Sequence, residues 1–154
     1  MYTPAKEVCE PFVLKREHIE RLLEIIGSRH PSSQADIYQP VFRYVRLDDY
    51  ERVTFDINDI LNEDNHGETR ISKFEIMNKS FEQSDRQCDL NYKITFTSFE
   101  DTINCNTSLK QFKSIKFIVK GENRDQAELL FNNLNKYIFN SIVAKQHRWL
   151  IRTL

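Results

Sequence analysis

The chain has 154 residues, of which 40% are hydrophobic, 29% charged and 12% aromatic. That balance excludes a disordered or low-complexity chain and suits one soluble domain long enough to bury a real core. A net charge of −1 is far from the basic excess common in nucleic-acid-binding domains, and the longest apolar runs are too short to cross a bilayer.

Residues 1–13 read as irregular, because Pro4 and Pro11 interrupt regular structure. Lys15 to Ile26 sets Ile19, Leu22, Leu23 and Ile26 at helical spacing, and Gly27 suits the position just past a helix end, with Pro31 soon after. Ser28 to Gln39 is then a connecting loop. Val41 to Leu47 alternates and is rich in β-branched and aromatic residues, which predicts a strand. Asp48-Asp49 supplies a turn, and Arg52 to Ile57, with Val53, Phe55 and Ile57, is the hairpin partner. One helical turn is expected at Asp59 to Asn62, and Asn65-His66-Gly67 is turn chemistry.

Thr69 to Asn78 reads as a third strand through Ile71, Phe74 and Ile76. Cys88 to Ser98 is a fourth, with Leu90, Tyr92, Ile94 and Phe96 on one side and Asn91, Lys93, Thr95 and Thr97 on the other. Phe99 to Lys113 is loop with a short helical piece. Ser114 to Lys120 is a fifth strand, with Ile115, Phe117 and Val119 opposed to Lys116, Ile118 and Lys120, and Gly121 ends it. A helix from Asn123 to at least Ala144 carries Ala127, Leu130, Phe131, Leu134, Tyr137, Ile138 and Ile142 along one side. Asn123 is its N-cap, and Asp125 and Glu128 favour the positive end of the dipole.

Strands in succession between two helices predict an α+β domain over residues 1–154. The expected architecture is a mostly antiparallel sheet of about five strands, with the N-terminal helix and the long C-terminal helix packed on one face. Alternation in the fourth and fifth strands predicts that the other face meets water.

Catalytic and metal patterns are weak. The sequence has neither a Gly-x-Ser-x-Gly elbow nor a glycine-rich phosphate loop. His18, His30, His66 and His147 are far apart, with His18 read as a surface residue, and the three cysteines Cys9, Cys88 and Cys105 match no metal spacing. Ile57 to Glu68 fails as a calcium loop, because Ile57 and Leu61 fall at ligand positions and Asn62 replaces the glycine. A nuclease-like pairing of Glu75 or Asp101 with a lysine is of a kind that arises by chance. No cofactor or metal is expected, and reduced thiols point to a cytoplasmic protein.

Charge is divided unevenly. Leu47 to Glu68 carries eight acids against Arg52 alone, whereas Leu129 to Leu154 has no acid and four cations. Lys145, Arg148 and Arg152 share one face of a continued helix, with Trp149, Leu150 and Ile151 as apolar anchors beside it. These six residues are the expected partner-binding set, at a helix end (145–154) that meets a protein partner, a further domain or a membrane surface. The expected function is a non-enzymatic interaction or sensory module that self-associates or binds another protein. The alternative is a nucleic-acid-binding domain using Lys73, Lys93, Lys116 and Lys120 on the open sheet face. Against it, Tyr92, Phe96 and Phe117 point the other way.

In layout the chain resembles small cytosolic α+β modules that bacterial multidomain proteins place ahead of an anchor or effector segment. No motif carries that likeness, so it transfers no residue roles. It implies a membrane-proximal domain if a hydrophobic span follows Leu154, and a free-standing binding protein if none does.

Overall fold

A computed structural model describes residues 1–10, 12–28, 39–61, 71–82, 90–98, 110–112 and 114–143. Six strands form one antiparallel sheet: β1 (Ala5–Val8), β3 (Pro40–Arg46), β4 (Glu51–Thr54), β5 (Ile71–Asn78), β6 (Leu90–Thr97) and β8 (Ser114–Gly121). Their spatial order is β1-β8-β6-β5-β3-β4. A separate two-stranded ribbon joins β2 (Phe12–Leu14) to β7 (Lys110–Phe112). Among the described residues three α-helices accompany them: α1 (Arg16–Gly27), the single turn α2 (Asn58–Leu61) and α3 (Arg124–Tyr137), which continues as six residues of π-helix, Ile138–Val143. The fold is α+β.

Alternation in the central strands decides which face is buried. Tyr92, Ile94 and Phe96 of β6 and Ile115, Phe117 and Val119 of β8 are sealed against α3, whose Ala127, Leu130 and Leu134 face inward. The Phe117 and Phe131 rings lie 5.2 Å apart. Helix α1 packs on α3 and adds Ile19, Leu22 and Ile26 to the same core. Where the helices stop, the β2/β7 ribbon closes the layer. Its Phe12 and Phe112 meet Phe96 at 6.1 and 5.7 Å, and the row continues through Phe74 to Phe42. Burying one such ring contributes roughly 2–3 kcal/mol.

The helix starts are built differently. Asn123 caps α3 through its side-chain oxygen, which accepts from the Gln126 N–H at 3.2 Å. At α1 the third residue does the work: His18 Nδ1 accepts the Lys15 N–H at 3.1 Å, so His18 is a buried capping group and not the surface residue its polarity suggested. Helix α1 also runs through Gly27 and ends at Ser28 in ordinary helical geometry, with Ser28 Oγ donating to the Ile25 carbonyl at 2.8 Å.

Further expectations need correcting. Residues 1–13 hold two strands, because the edge of β8 offers a ladder to Ala5–Val8 and the apolar pair Phe12 and Leu14 folds inward. The mostly antiparallel sheet with packed helices is as expected, with six strands where about five were expected and the ribbon in addition. Lys110–Phe112, expected as loop, is β7. The last helix gives way to π-helix at Ile138 and runs on to Val143, while Ala144, which it was expected to reach, lies outside the described residues.

Candidate functional site: the outer face of the sheet

The face turned away from the helices is set by strand register. Across it run rows of facing residues: Val53, Arg43, Glu75, Thr95, Lys116 and Glu7 in one, Val41, Met77, Lys93, Ile118 and Ala5 in the next. All four lysines named from the sequence, Lys73, Lys93, Lys116 and Lys120, fall on this face. Tyr92, Phe96 and Phe117 are buried on the other.

The structure brings two of those lysines together on a carboxylate. Glu75, with only 2% of its side chain exposed, sits at the centre of the face. Its Oε1 accepts from Arg43 Nε at 2.8 Å and Nη2 at 2.6 Å, and Lys73 Nζ lies 3.7 Å away. Its Oε2 is 2.9 Å from Lys93 Nζ and accepts from Thr95 Oγ1 at 3.4 Å. A second acid, the half-exposed Glu82, bridges the same cations: Oε1 is 3.1 Å from Arg43 Nη2 and 3.2 Å from Lys93 Nζ. Burial opposes the Glu75 charge, but hydrogen bonds and charge from Lys93 and Arg43 outweigh it, leaving the carboxyl below its ordinary value. Burial likewise works against Lys93 and Arg43, yet Glu75 raises both. Glu75 is therefore held as an anion and its lone pairs are engaged, an arrangement suited to a clamp and poorly suited to a general base.

Lys120 and Lys93 both approach the Phe81 ring, at 4.2 and 5.6 Å from its centroid. Of the four lysines, Lys116 is the most open to solvent. Below Phe81 a buried polar knot ties β5 to β6. Asn78 Nδ2 donates to Asn91 Oδ1 at 2.8 Å, Ser80 Oγ donates to the same oxygen at 2.5 Å, and Asn78 Oδ1 accepts the Tyr92 N–H at 3.0 Å.

The β4 corner differs in character. Val53 and Phe55 are 58% and 55% exposed, and with Leu47 and Tyr50 they make four of the seven exposed large apolar side chains among the described residues. An open depression of about 240 Å³ beside them is lined by Val41, Val53, Phe55 and Met77, with Arg43, Lys79 and Glu82 at its rim. Glu75 does not line it. A larger polar groove of about 500 Å³ runs between α1 and α3 past Arg21, Glu24, Lys136 and Tyr137, and there Arg21 is already paired with Glu24 at 2.9 Å.

Reading residues one at a time missed Arg43, Glu82 and the exposed pair Val53 and Phe55. Arg43 carried a signal, since it alternates with Phe42 and Tyr44 and so had to face away from the core. Lys145, Arg148, Trp149, Leu150, Ile151 and Arg152 lie outside the described residues, as does Asp101. Among the described residues no three His, Cys, Asp or Glu side chains gather as a metal would require, and no helix is long and apolar enough to cross a membrane. Comparison with protein-family models, curated proteins and solved structures finds no match.

Proposed function

We propose that the chain is a non-enzymatic interaction module that self-associates or binds a protein partner through the β4 corner of its outer face. The cationic stretch Lys145, Arg148, Trp149, Leu150, Ile151 and Arg152 supplies a second contact, toward a partner, a further domain or a membrane surface. One observation carries the reading, the contrast between the two edges of the sheet. The β1 edge is guarded by Pro4, Lys6 and Glu7, devices that discourage strand pairing. The β4 edge also carries two charges, Glu51 and Arg52, but it has no proline and shows Val53 and Phe55 next to an apolar depression. The exposed Cys9 thiol fits a reducing compartment.

The test is a doubly substituted chain, Val53→Lys with Phe55→Lys, at two positions open enough to leave the fold intact. Light scattering and affinity capture from the producing cells should show an association in the wild type that the variant loses. If both chains keep the same associations, the β4 reading fails. Truncation after Ala144, measured alongside, tests the second contact.

A nucleic-acid reading rests on Lys116 and Lys120 sharing one face. It predicts binding that weakens steeply with salt and disappears in Lys116→Glu/Lys120→Glu, with Lys93 left in place because it holds Glu75.

A further inference from the structure

We infer that the occupant of the β4 edge is a second copy of this chain, paired strand to strand and antiparallel about a two-fold axis at Val53. The inference rests on the interaction reading above and adds the partner and the register.

Backbone geometry fixes which groups are offered. The Arg46 N–H donates to the Tyr50 carbonyl at 2.8 Å and closes the β3–β4 hairpin, so the peptide groups of Tyr50, Arg52 and Thr54 turn toward β3. Those of Glu51, Val53 and Phe55 turn away from the sheet, where among the described residues β4 has no neighbouring strand. A two-fold antiparallel pair joining these positions can centre on residue 51, 52, 53, 54 or 55.

Charge and chain direction choose among the five. An axis at Glu51 sets Glu51 against its copy, and an axis at Arg52 does the same to Arg52; like charges directly opposite are destabilising. An axis at Thr54 or at Phe55 would need Asp56 extended. The chain has already turned there: the Asp56 carbonyl accepts the Asp59 N–H at 3.1 Å and its side chain accepts the Asn58 N–H at 2.9 Å. An axis at Val53 sets Val53 on Val53, Glu51 on Phe55 and Arg52 on Thr54. No like charges meet, and three positions per strand bond outward.

The surroundings favour a copy over a strongly charged stranger. The three arginines near the seam are already paired within their own chain: Arg43 with Glu75, Glu82 and Glu51, Arg46 with Asp48, and Arg52 with Asp59 at 3.2 Å. Each copy carries a net charge of only −1 overall, but Leu47 to Glu68 is rich in acids, so the pairing tightens as salt screens their repulsion. The product is a self-complementary dimer in which two six-stranded sheets run into one.

Sedimentation and light scattering from micromolar to millimolar concentration should show one copy giving way to two. Val53→Lys should weaken the dimer about tenfold or more. Amide exchange on the unaltered chain reads the register without any substitution: the Val53 N–H should gain protection only at concentrations where the dimer forms. A mass of one copy throughout, a dimer indifferent to Val53→Lys, or a Val53 amide indifferent to concentration would each overturn the inference. A monomer that still captures another protein through β4, with capture lost in the double variant Val53→Lys with Phe55→Lys, would overturn the dimer and leave the interaction reading standing. A monomer with no β4-dependent association would end both.

Discussion

Arg43 and Glu75 face each other across adjacent strands, and two guanidinium nitrogens of Arg43 reach the same carboxylate oxygen, at 2.8 and 2.6 Å. Lys93 holds the other oxygen at 2.9 Å. Three strands, β3, β5 and β6, are thereby pinned at one point on a face the helices do not cover.

Glu75→Gln should destabilise the fold at neutral pH by about 2 kcal/mol, because Arg43 and Lys93 then face an uncharged amide. The folded pKa of Glu75 is depressed, so its contribution is fully present above the unfolded value of about 4.5 and is lost as pH falls through the folded value. Urea unfolding of both chains across that range checks the sign. The two stabilities should converge in acid and run parallel near neutrality.

The glycines give opposite predictions. Gly27 lies in the last turn of α1 with open space where a side chain would stand, so Gly27→Ala should stabilise by up to about 1 kcal/mol. At Gly121 an added Cβ would come within 2.7 Å of the Ala127 Cβ and 3.3 Å of the Asn123 carbonyl oxygen. Gly121→Ala must push the start of α3 off the end of β8, at a cost of about 1–3 kcal/mol. Thermal midpoints of the two variants should fall on either side of the wild type.

Asn78→Ala removes the acceptor of the Tyr92 N–H and the donor to Asn91 in one step. Buried polar groups that lose their partners cost about 1–3 kcal/mol each, so a loss of about 3 kcal/mol is expected. Amide exchange should accelerate at Tyr92 more than at Phe96, which lies further along the same strand. Equal acceleration along β6 would show that Asn78 acts only through global stability.

Much of the fold was legible in the sequence because period and caps agree there. Ile19, Leu22 and Ile26 mark α1, Tyr92, Ile94 and Phe96 mark β6, and Asn123 marks the start of α3. Ala5–Val8 carried no such mark, since Lys6 and Glu7 have little preference for strands and the ladder is supplied by β8. The outer face was only half legible. Alternation put its lysines on one side, but the clamp draws Arg43, Glu75, Glu82 and Lys93 from separate stretches that only the register unites. The hairpin shows how little separates two outcomes. A two-residue Asp48-Asp49 turn would pair Leu47 with Tyr50 and send Val53 to the core beside Tyr44. Asp49 instead adopts φ 66°, the loop spans Leu47 to Asp49, and Val53 stands beside Arg43 in solvent.

The π-helical stretch after Tyr137 changes which way the last described residues face. At α-helical pitch Val143 would sit about 140° around the axis from Ile138 and look out to water. Bonding five residues back widens the coil, and Ile138, Ile142 and Val143 are all buried. Within Arg124–Val143, a helical wheel drawn at constant α-helical pitch therefore misassigns the bearing of Val143.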